Sequence, residues 1–381
     1  MTPGRPANPS LTDGVAPLAV DWDRAARWAG RLAAPGPTAS RGELEHVVAG
    51  LRDAAERAYP LALRAARLGA AVEASGRQEQ RARVVVVDRP GWALSAARSF
   101  GGLTPPPDPS PAVRERLRAG PATAQAAGLL AMLSGRVLGQ FDPFALDAPA
   151  GGRLVLVAPN VLQMRARLSA DADDFALWVC VHEQTHALQF AAAPWLVEHL
   201  RGEVRALVRD LAADGDEITG LVERALRAAR GGRGGSAGRG LAGRAADGPD
   251  GPDDLGVLGL VLGPAERARI DAVTAVMSVL EGHAEVAMDA VGTRTIPSAR
   301  RLRARFDAQR RRRTSGPDRV LRRLLGLDAK MAQYRRGAAF VRAVRRAGGR
   351  DALDAVWSGP DALPTSREIA DPRAWVRRVH G

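Results

Sequence analysis

Sixteen residues, "FALWVCVHEQTHALQF" (175–190), constrain this chain more than any other stretch. They set His182, Glu183 and His186 in the pattern H-E-x-x-H inside a run that is otherwise almost wholly apolar. No Gly or Pro follows until Pro194, and Asp171, Asp173 and Asp174 stand where an N-cap and first-turn acids belong. The pattern predicts a buried helix of about five turns. Residues four apart on a helix share a face, so His182 and His186 can grip one metal ion from successive turns. Glu183 is rotated about 100° from His182, close enough to reach a metal-bound water as general base without being a ligand. Only six histidines occur in 381 residues, and a chance match in this composition is on the order of 1 in 200. A helix with two merely space-filling histidines is the bland alternative. It is disfavoured because an apolar helix gains nothing from burying two imidazoles and a carboxylate together.

A catalytic zinc, one per chain, needs a third protein ligand and an open position. The compact pattern with Gly and His three and six residues after the second histidine is ruled out, because Gln189 and Ala192 stand there. Glu198 and His199 follow His186 closely, with Pro194 between, which is a tight path for a chain that must leave one helix and return. Glu281 in "MSVLEGHAEVAMD" is the stronger candidate, since it sits mid-helix on a largely apolar segment where an unpaired carboxylate is costly. Glu285 lies one turn on and is expected to orient a metal-bound histidine, with Asp289 able to do likewise. His283 is about 200° round the helix from Glu281. It either lines the cleft and stabilises an oxyanion or fills the core; Tyr334 is a second oxyanion candidate. Cys180, about 200° from His182, is expected to be a packed core thiol.

With 46% hydrophobic and 25% charged residues, the chain has material for a sizeable soluble core, as one large domain or two small ones. The apolar run near "LGVLGLVLG" (255–263) is too short and glycine-rich to span a bilayer, so no membrane partner is expected. The N-terminus lacks the basic and apolar regions of a signal peptide. The lone cysteine excludes an internal disulfide and fits a reducing cytoplasm. The net charge of +13 is carried by arginine, Lys330 being the only lysine, as in a GC-rich coding sequence. Arg300, Arg301, Arg303, Arg305 and Arg310 to Arg313 form a basic cluster in which aromatics are scarce. That cluster reads as a solvated helix face rather than a nucleic-acid surface.

The elements predict a mainly α fold with a small β component. Residues 1–19 are Pro, Gly and Ser rich and expected to be disordered. "VDWDRAARWAGRLA" and "RGELEHVVAGLRDAAERAYPLALRAARLG" read as helices, and Val84 to Val87 as a buried strand running into a turn at Asp88-Arg89-Pro90-Gly91. "TAQAAGLLAMLSGRVLG" reads as an apolar helix and Leu154 to Val157 as a second strand. Beyond the motif, "LVEHLRGEVRALVRDLAAD" is helical and the Gly/Arg-rich segment at about 228–254 reads as a flexible insertion. A helix with Pro264 in its first turn covers about 263–292, and the region from 297 to the C-terminus is helical and basic.

"HEQTHALQF" followed by "LEGHAEVAMD" resembles the glutamate-zincin metallopeptidases. More narrowly, "VVDRPGW", "RVLGQFDP", "VAPN", "LWVCVHEQTHALQFAAAPWL", "MSVLEGHAEVAMDAVG", "LLGLDAKMAQY" and "LPTSREIADPRAW" are similar to an actinobacterial zinc-dependent metalloprotease family often labelled as associated with coenzyme F-420 biosynthesis. The resemblance implies one zincin-like domain over residues 20–381 and a peptidase acting on a peptide or protein. It also implies zinc ligands at His182, His186 and Glu281, with Glu183 as base. A zinc hydrolase of a small amide or ester would use the same groups. A non-catalytic scaffold with a basic partner-binding surface would not need Glu183.

Overall fold

The computed structural model describes residues 20–104, 120–145, 147–213, 263–311, 327–349 and 351–381. The N-terminal 19 residues and the Gly/Arg-rich segment at 228–254 lie outside them. The described helices in chain order are α1 (Trp22–Leu32), α2 (Arg41–Ala66), α3 (Gly69–Ala74), α4 (Arg89–Leu103), α5 (Pro121–Ser134), α6 (Ala158–Leu168) and α7 (Ala172–Ala192). After them come α8 (Trp195–Ala213), α9 (Pro264–Val291), α10 (Ala299–Arg311), α11 (Leu327–Ala347), α12 (Ser366–Ala370) and α13 (Pro372–His380). Three strands, β1 (Arg83–Val87), β2 (Gly139–Asp142) and β3 (Arg153–Val157), form one sheet in the order β1-β3-β2. The fold is mainly helical with a small sheet, as the elements predicted.

β3 is the hinge of the architecture. It pairs parallel with β1 and antiparallel with β2, and its side chains alternate between two cores. Leu154 and Leu156 enter the larger core, built from α2, α3, α7, α9, α11 and the C-terminal segment. Val155 and Val157 enter the smaller one, with α1, α4 and α5. A strand buried on both faces has no polar side to alternate with, which is why it reads as the continuous run Leu154 to Val157.

The motif helix α7 runs through the larger core. Its N-cap is Asp171, whose carboxylate accepts from the backbone N–H groups of Asp173 and Asp174. Asp174 in turn accepts from the Ser298 N–H at 2.8 Å, tying the start of α7 to α10. The two residues between Glu183 and His186 are structural. Gln184 donates to the Ala55 carbonyl of α2 at 3.0 Å, and Thr185 back-bonds to Val181 at 2.8 Å. Helix α9 reaches α7 from the other side, and it crosses α11 at backbone contact. A Cβ on Gly282 would stand 2.2 Å from the Gly337 carbonyl carbon, and one on Gly337 1.9 Å from the Ser278 oxygen. Only glycine at both positions permits that approach. Gly282 therefore fixes the depth at which its neighbour Glu281 is presented.

Two local expectations change. Asp88-Arg89-Pro90-Gly91 is a helix start rather than a turn: Asp88 caps α4 by accepting from the Gly91 N–H at 2.8 Å, with Pro90 in the first turn. The strand β2, "GQFD", was not foreseen, because four residues with Gly and Asp carry none of the β-branched signal that marks β1 and β3.

Candidate metal centre

His182 and His186 project from successive turns of α7 toward Glu281 on α9. The two Nε2 atoms are 3.2 Å apart, His182 Nε2 is 3.5 Å from Glu281 Oε2, and His186 Nε2 is 3.9 Å from Glu281 Oε1. Among the described residues these three form the one group of His, Cys, Asp and Glu side chains whose ligand atoms converge in this way, all within 4.8 Å. Zinc bonds of about 2.0–2.1 Å in a tetrahedral arrangement set neighbouring donors about 3.3 Å apart. The donor types and their spacing fit such an ion. The Glu281 side chain is 23% exposed, so the group faces a cleft rather than a sealed cavity.

Glu183 lies against the same cleft, itself buried. Burial pushes its carboxyl up to about 7; His182 opposes the rise, Glu281 adds to it, and the Phe141 backbone N–H pulls it down. Strand β2 supplies that N–H because of its register. Leu138 accepts from the Val157 N–H at 2.9 Å, and Gly139 is opposite Leu156. Alternation along an antiparallel pair then turns the backbone groups of Gly139 and Phe141 away from β3, to the outer edge. Gly139 also makes room for the acid: a Cβ there would stand 2.6 Å from Glu183 Cγ.

The cleft has a volume of about 210 Å³. Trp178, Val179, Met288 and Phe306 give it an apolar wall, and Arg136 and Arg303 bring positive charge. Sequence reasoning missed Arg136, Leu138 and Gly139, which are contributed by β2 and the segment leading into it. The one signal that pointed there was the "RVLGQFDP" resemblance.

The expected supporting residues are redistributed. Glu285 was expected to orient a metal-bound histidine, but its carboxylate is bound by Arg303 of α10. Asp289 is held at 2.8 Å by both Arg303 and Arg342. Both acids share the face of Glu281 but run along α9 toward α10 and α11, where guanidinium groups claim them. The acceptor at His186 Nδ1 is instead Gln189 Oε1, at 2.9 Å. His283 is not an oxyanion donor. Its ring is buried, tilted 5.2 Å from Trp357, with Nε2 3.0 Å from the Ala66 carbonyl. Burial, reinforced by the charge of Arg345, drives its pKa down to about 3 and keeps it neutral. Tyr334 falls on α11, its side chain outside the described set. Glu198 pairs with Arg201 one turn on and is 70% exposed, and His199 lies edge-on to Trp195; neither belongs to the converging group. Cys180 is fully buried, and burial raises its thiol pKa well above the usual range, as befits a core thiol. Burial also lowers the His186 pKa, which favours the neutral imidazole that binds metal.

The structure can be set beside known proteins. A crystal structure from Chloroflexus aurantiacus, of a candidate hydrolase described as having a novel fold, is similar to this one with a TM-score of 0.59. Its identity is 29%, covering 95% of this chain and 99% of that one. No curated protein matches the chain. Residues 20–376 match the model of the zincin-like metallopeptidases, a span that includes α7, α9 and the whole sheet. The chain that brings a histidine pair and a distant glutamate together in this way belongs to the zincin-like metallopeptidase family.

Proposed function

We propose that the chain is a zinc-dependent peptidase that holds one zinc through His182, His186 and Glu281 and cleaves a peptide or protein, with Glu183 as general base. One observation carries the reading: three converging donors lie beside a buried carboxylate, under the outward-turned edge of β2. Bound zinc supplies Lewis acidity, polarising a carbonyl and lowering the pKa of a water. The protein's own groups divide the remaining work. Glu183 takes a proton from the attacking water at its carboxylate and passes it to the leaving nitrogen. Trp178, Met288 and Phe306 keep bulk water from the acid and receive an apolar group of the substrate. Arg136, exposed on the cleft wall, meets negative charge on the substrate or developing at the carbonyl.

The outer edge of β2 favours a peptide over a small amide or ester. Gly139 offers a backbone donor and acceptor at the cleft, which an extended chain can use as an added strand and a small amide cannot fill. The ordered motif set also leads us to propose membership of the actinobacterial branch it resembles.

The test is metal content by plasma mass spectrometry on untagged wild type beside Glu281→Ala, followed by a peptide library with Glu183→Gln as the blank. About one zinc per chain in the wild type, much less in Glu281→Ala, and library cleavage that vanishes in Glu183→Gln support the reading. No zinc in folded wild type after incubation with the metal overturns it. Turnover confined to single-residue amides would replace peptide by small amide.

A further inference from the structure

We propose that Gln189 is a positioning residue for the metal centre. Through a buried relay ending at His283 and the Ala66 carbonyl, it fixes the tautomer and orientation of His186. The inference rests on the metal-site reading above.

The protons in this relay can be assigned from its ends. Gln189 Nε2 is 2.8 Å from the Leu280 carbonyl and 3.1 Å from His283 Nδ1. A carbonyl only accepts, so the atom facing Leu280 is the amide nitrogen and the flip of the side chain is settled. Gln189 Oε1 then faces His186 Nδ1 at 2.9 Å and can only accept. His186 must carry its proton on Nδ1, leaving Nε2 bare and turned toward His182 and Glu281. The second amide hydrogen meets His283 Nδ1 as an acceptor, which puts the His283 proton on Nε2. That proton is donated to the Ala66 carbonyl at 3.0 Å. Every hydrogen has one acceptor and the chain runs in one direction.

Its far end is anchored. Ala66 is the last residue of α2, followed by Arg67 in the left-handed region (φ 63°). Its carbonyl is one of the acceptors that a helix leaves unmatched at its C-terminus. Here it is satisfied from outside α2, by His283 and by Arg345 at 3.5 Å. Gln189 is fully buried and His283 nearly so, so water does not compete for these bonds. The relay thus ties three helices, α7, α9 and α2, to one imidazole. Gln189 is also one helical turn beyond His186 on α7, so the same turn that presents the imidazole presents the group that orients it.

The experiment measures zinc affinity by competition with a chromophoric chelator for wild type, Gln189→Leu and Gln189→Glu, and records the histidine ¹⁵N spectrum of the zinc-loaded wild type. Gln189→Leu removes the acceptor at His186 Nδ1 and is expected to weaken zinc by about 10–100-fold, as loss of such an outer partner does. Gln189→Glu keeps an oxygen acceptor for His186 Nδ1, so it should lose far less zinc affinity than Gln189→Leu. If Gln189 merely braced α7 against α9, Glu would give no rescue. The spectrum should show His186 protonated at Nδ1 and metal-bound at Nε2, a signature that needs no variant to fold. Equal affinity of Gln189→Leu and wild type, failure of Glu to rescue, or metal bound through His186 Nδ1 would each overturn the relay while leaving the zinc site standing. A folded wild type that takes up no zinc removes the site and the relay together.

Discussion

Arg89 and Glu183 are both charged side chains folded into the interior, 5% and 6% exposed, and they sit in clusters of opposite construction. Around Arg89 every neighbour is an acceptor. Nε meets Asn160 Oδ1 at 2.8 Å, one terminal nitrogen meets the Ala34 and Pro35 carbonyls, and the other meets Gln163 Oε1 at 2.8 Å. Asn160 continues outward, donating at 2.7 Å to the Ser134 and Val137 carbonyls. Each guanidinium nitrogen has an acceptor. Around Glu183 the neighbours are imidazole nitrogens and a second carboxylate, whose lone pairs converge on one another. That arrangement is one that could hold a metal ion. The first cluster also serves the second, because Asn160 fixes the segment that delivers β2, and with it Gly139, over Glu183.

Substitutions in both clusters and the addition of zinc test the contrast. The largest effect is expected at Glu183→Gln. Loss of the general base should lower kcat by about 10²–10⁴-fold, while zinc content and melting temperature stay at wild-type values. A variant with the metal retained and most of its turnover intact would remove Glu183 from the chemistry. Arg89→Leu should behave in the opposite manner. It leaves four acceptors without a donor and is expected to cost about 3 kcal/mol of stability in a denaturant titration, with zinc affinity per folded molecule unchanged. A loss of less than about 1 kcal/mol would mean that the Arg89 cluster is not the mount it looks like.

Zinc itself separates the two clusters. At a hundredfold excess over its dissociation constant, the metal should stabilise the wild type by about 2.7 kcal/mol. Arg89→Leu should keep that increment and Glu281→Ala should lose most of it, as read from melting curves with and without a chelator. Equal increments in wild type and Glu281→Ala would place the metal elsewhere.

What could be read in the sequence divides along similar lines. Helix α7 and its histidine pair were legible because the pattern is local: an N-cap acid, an unbroken apolar run and a four-residue spacing. Glu281 was legible from its cost, a carboxylate on an apolar helix. The face shared by Glu281, Glu285 and Asp289 was also right, but the partners of the last two depend on Arg303. That residue sits in a basic cluster that reads as solvated, and in the fold it is half-buried against α9. Asp88 and Pro90 suit a turn as well as a helix start. The choice follows from where the Arg89 guanidinium finds acceptors 54 to 74 residues away. Gln189 escaped notice for a related reason, since its three partners are a histidine one turn back and two groups on α9.

The smallest expected effect concerns a single methyl group. Gly139 and Gly128 are both glycines at ordinary backbone angles, but a Cβ at 139 would press on Glu183 Cγ at 2.6 Å while one at 128 meets nothing within 4 Å. Gly128 lies inside α5, where replacing it by alanine should stabilise the protein by about 0.5–1 kcal/mol and leave kcat alone. At Gly139 the strand cannot retreat. β3 holds the neighbouring Leu138 through the Val157 N–H, and Asn160 anchors the segment just before it. The carboxylate must therefore move, and a displacement of a few tenths of an ångström at a proton-transfer group is expected to cost about tenfold in kcat. Zinc affinity should not change, because the three atoms nearest that methyl group all belong to Glu183. A Gly139→Ala enzyme with full kcat would show that Glu183 tolerates displacement. That would contradict its assignment as the base more economically than any loss-of-function variant.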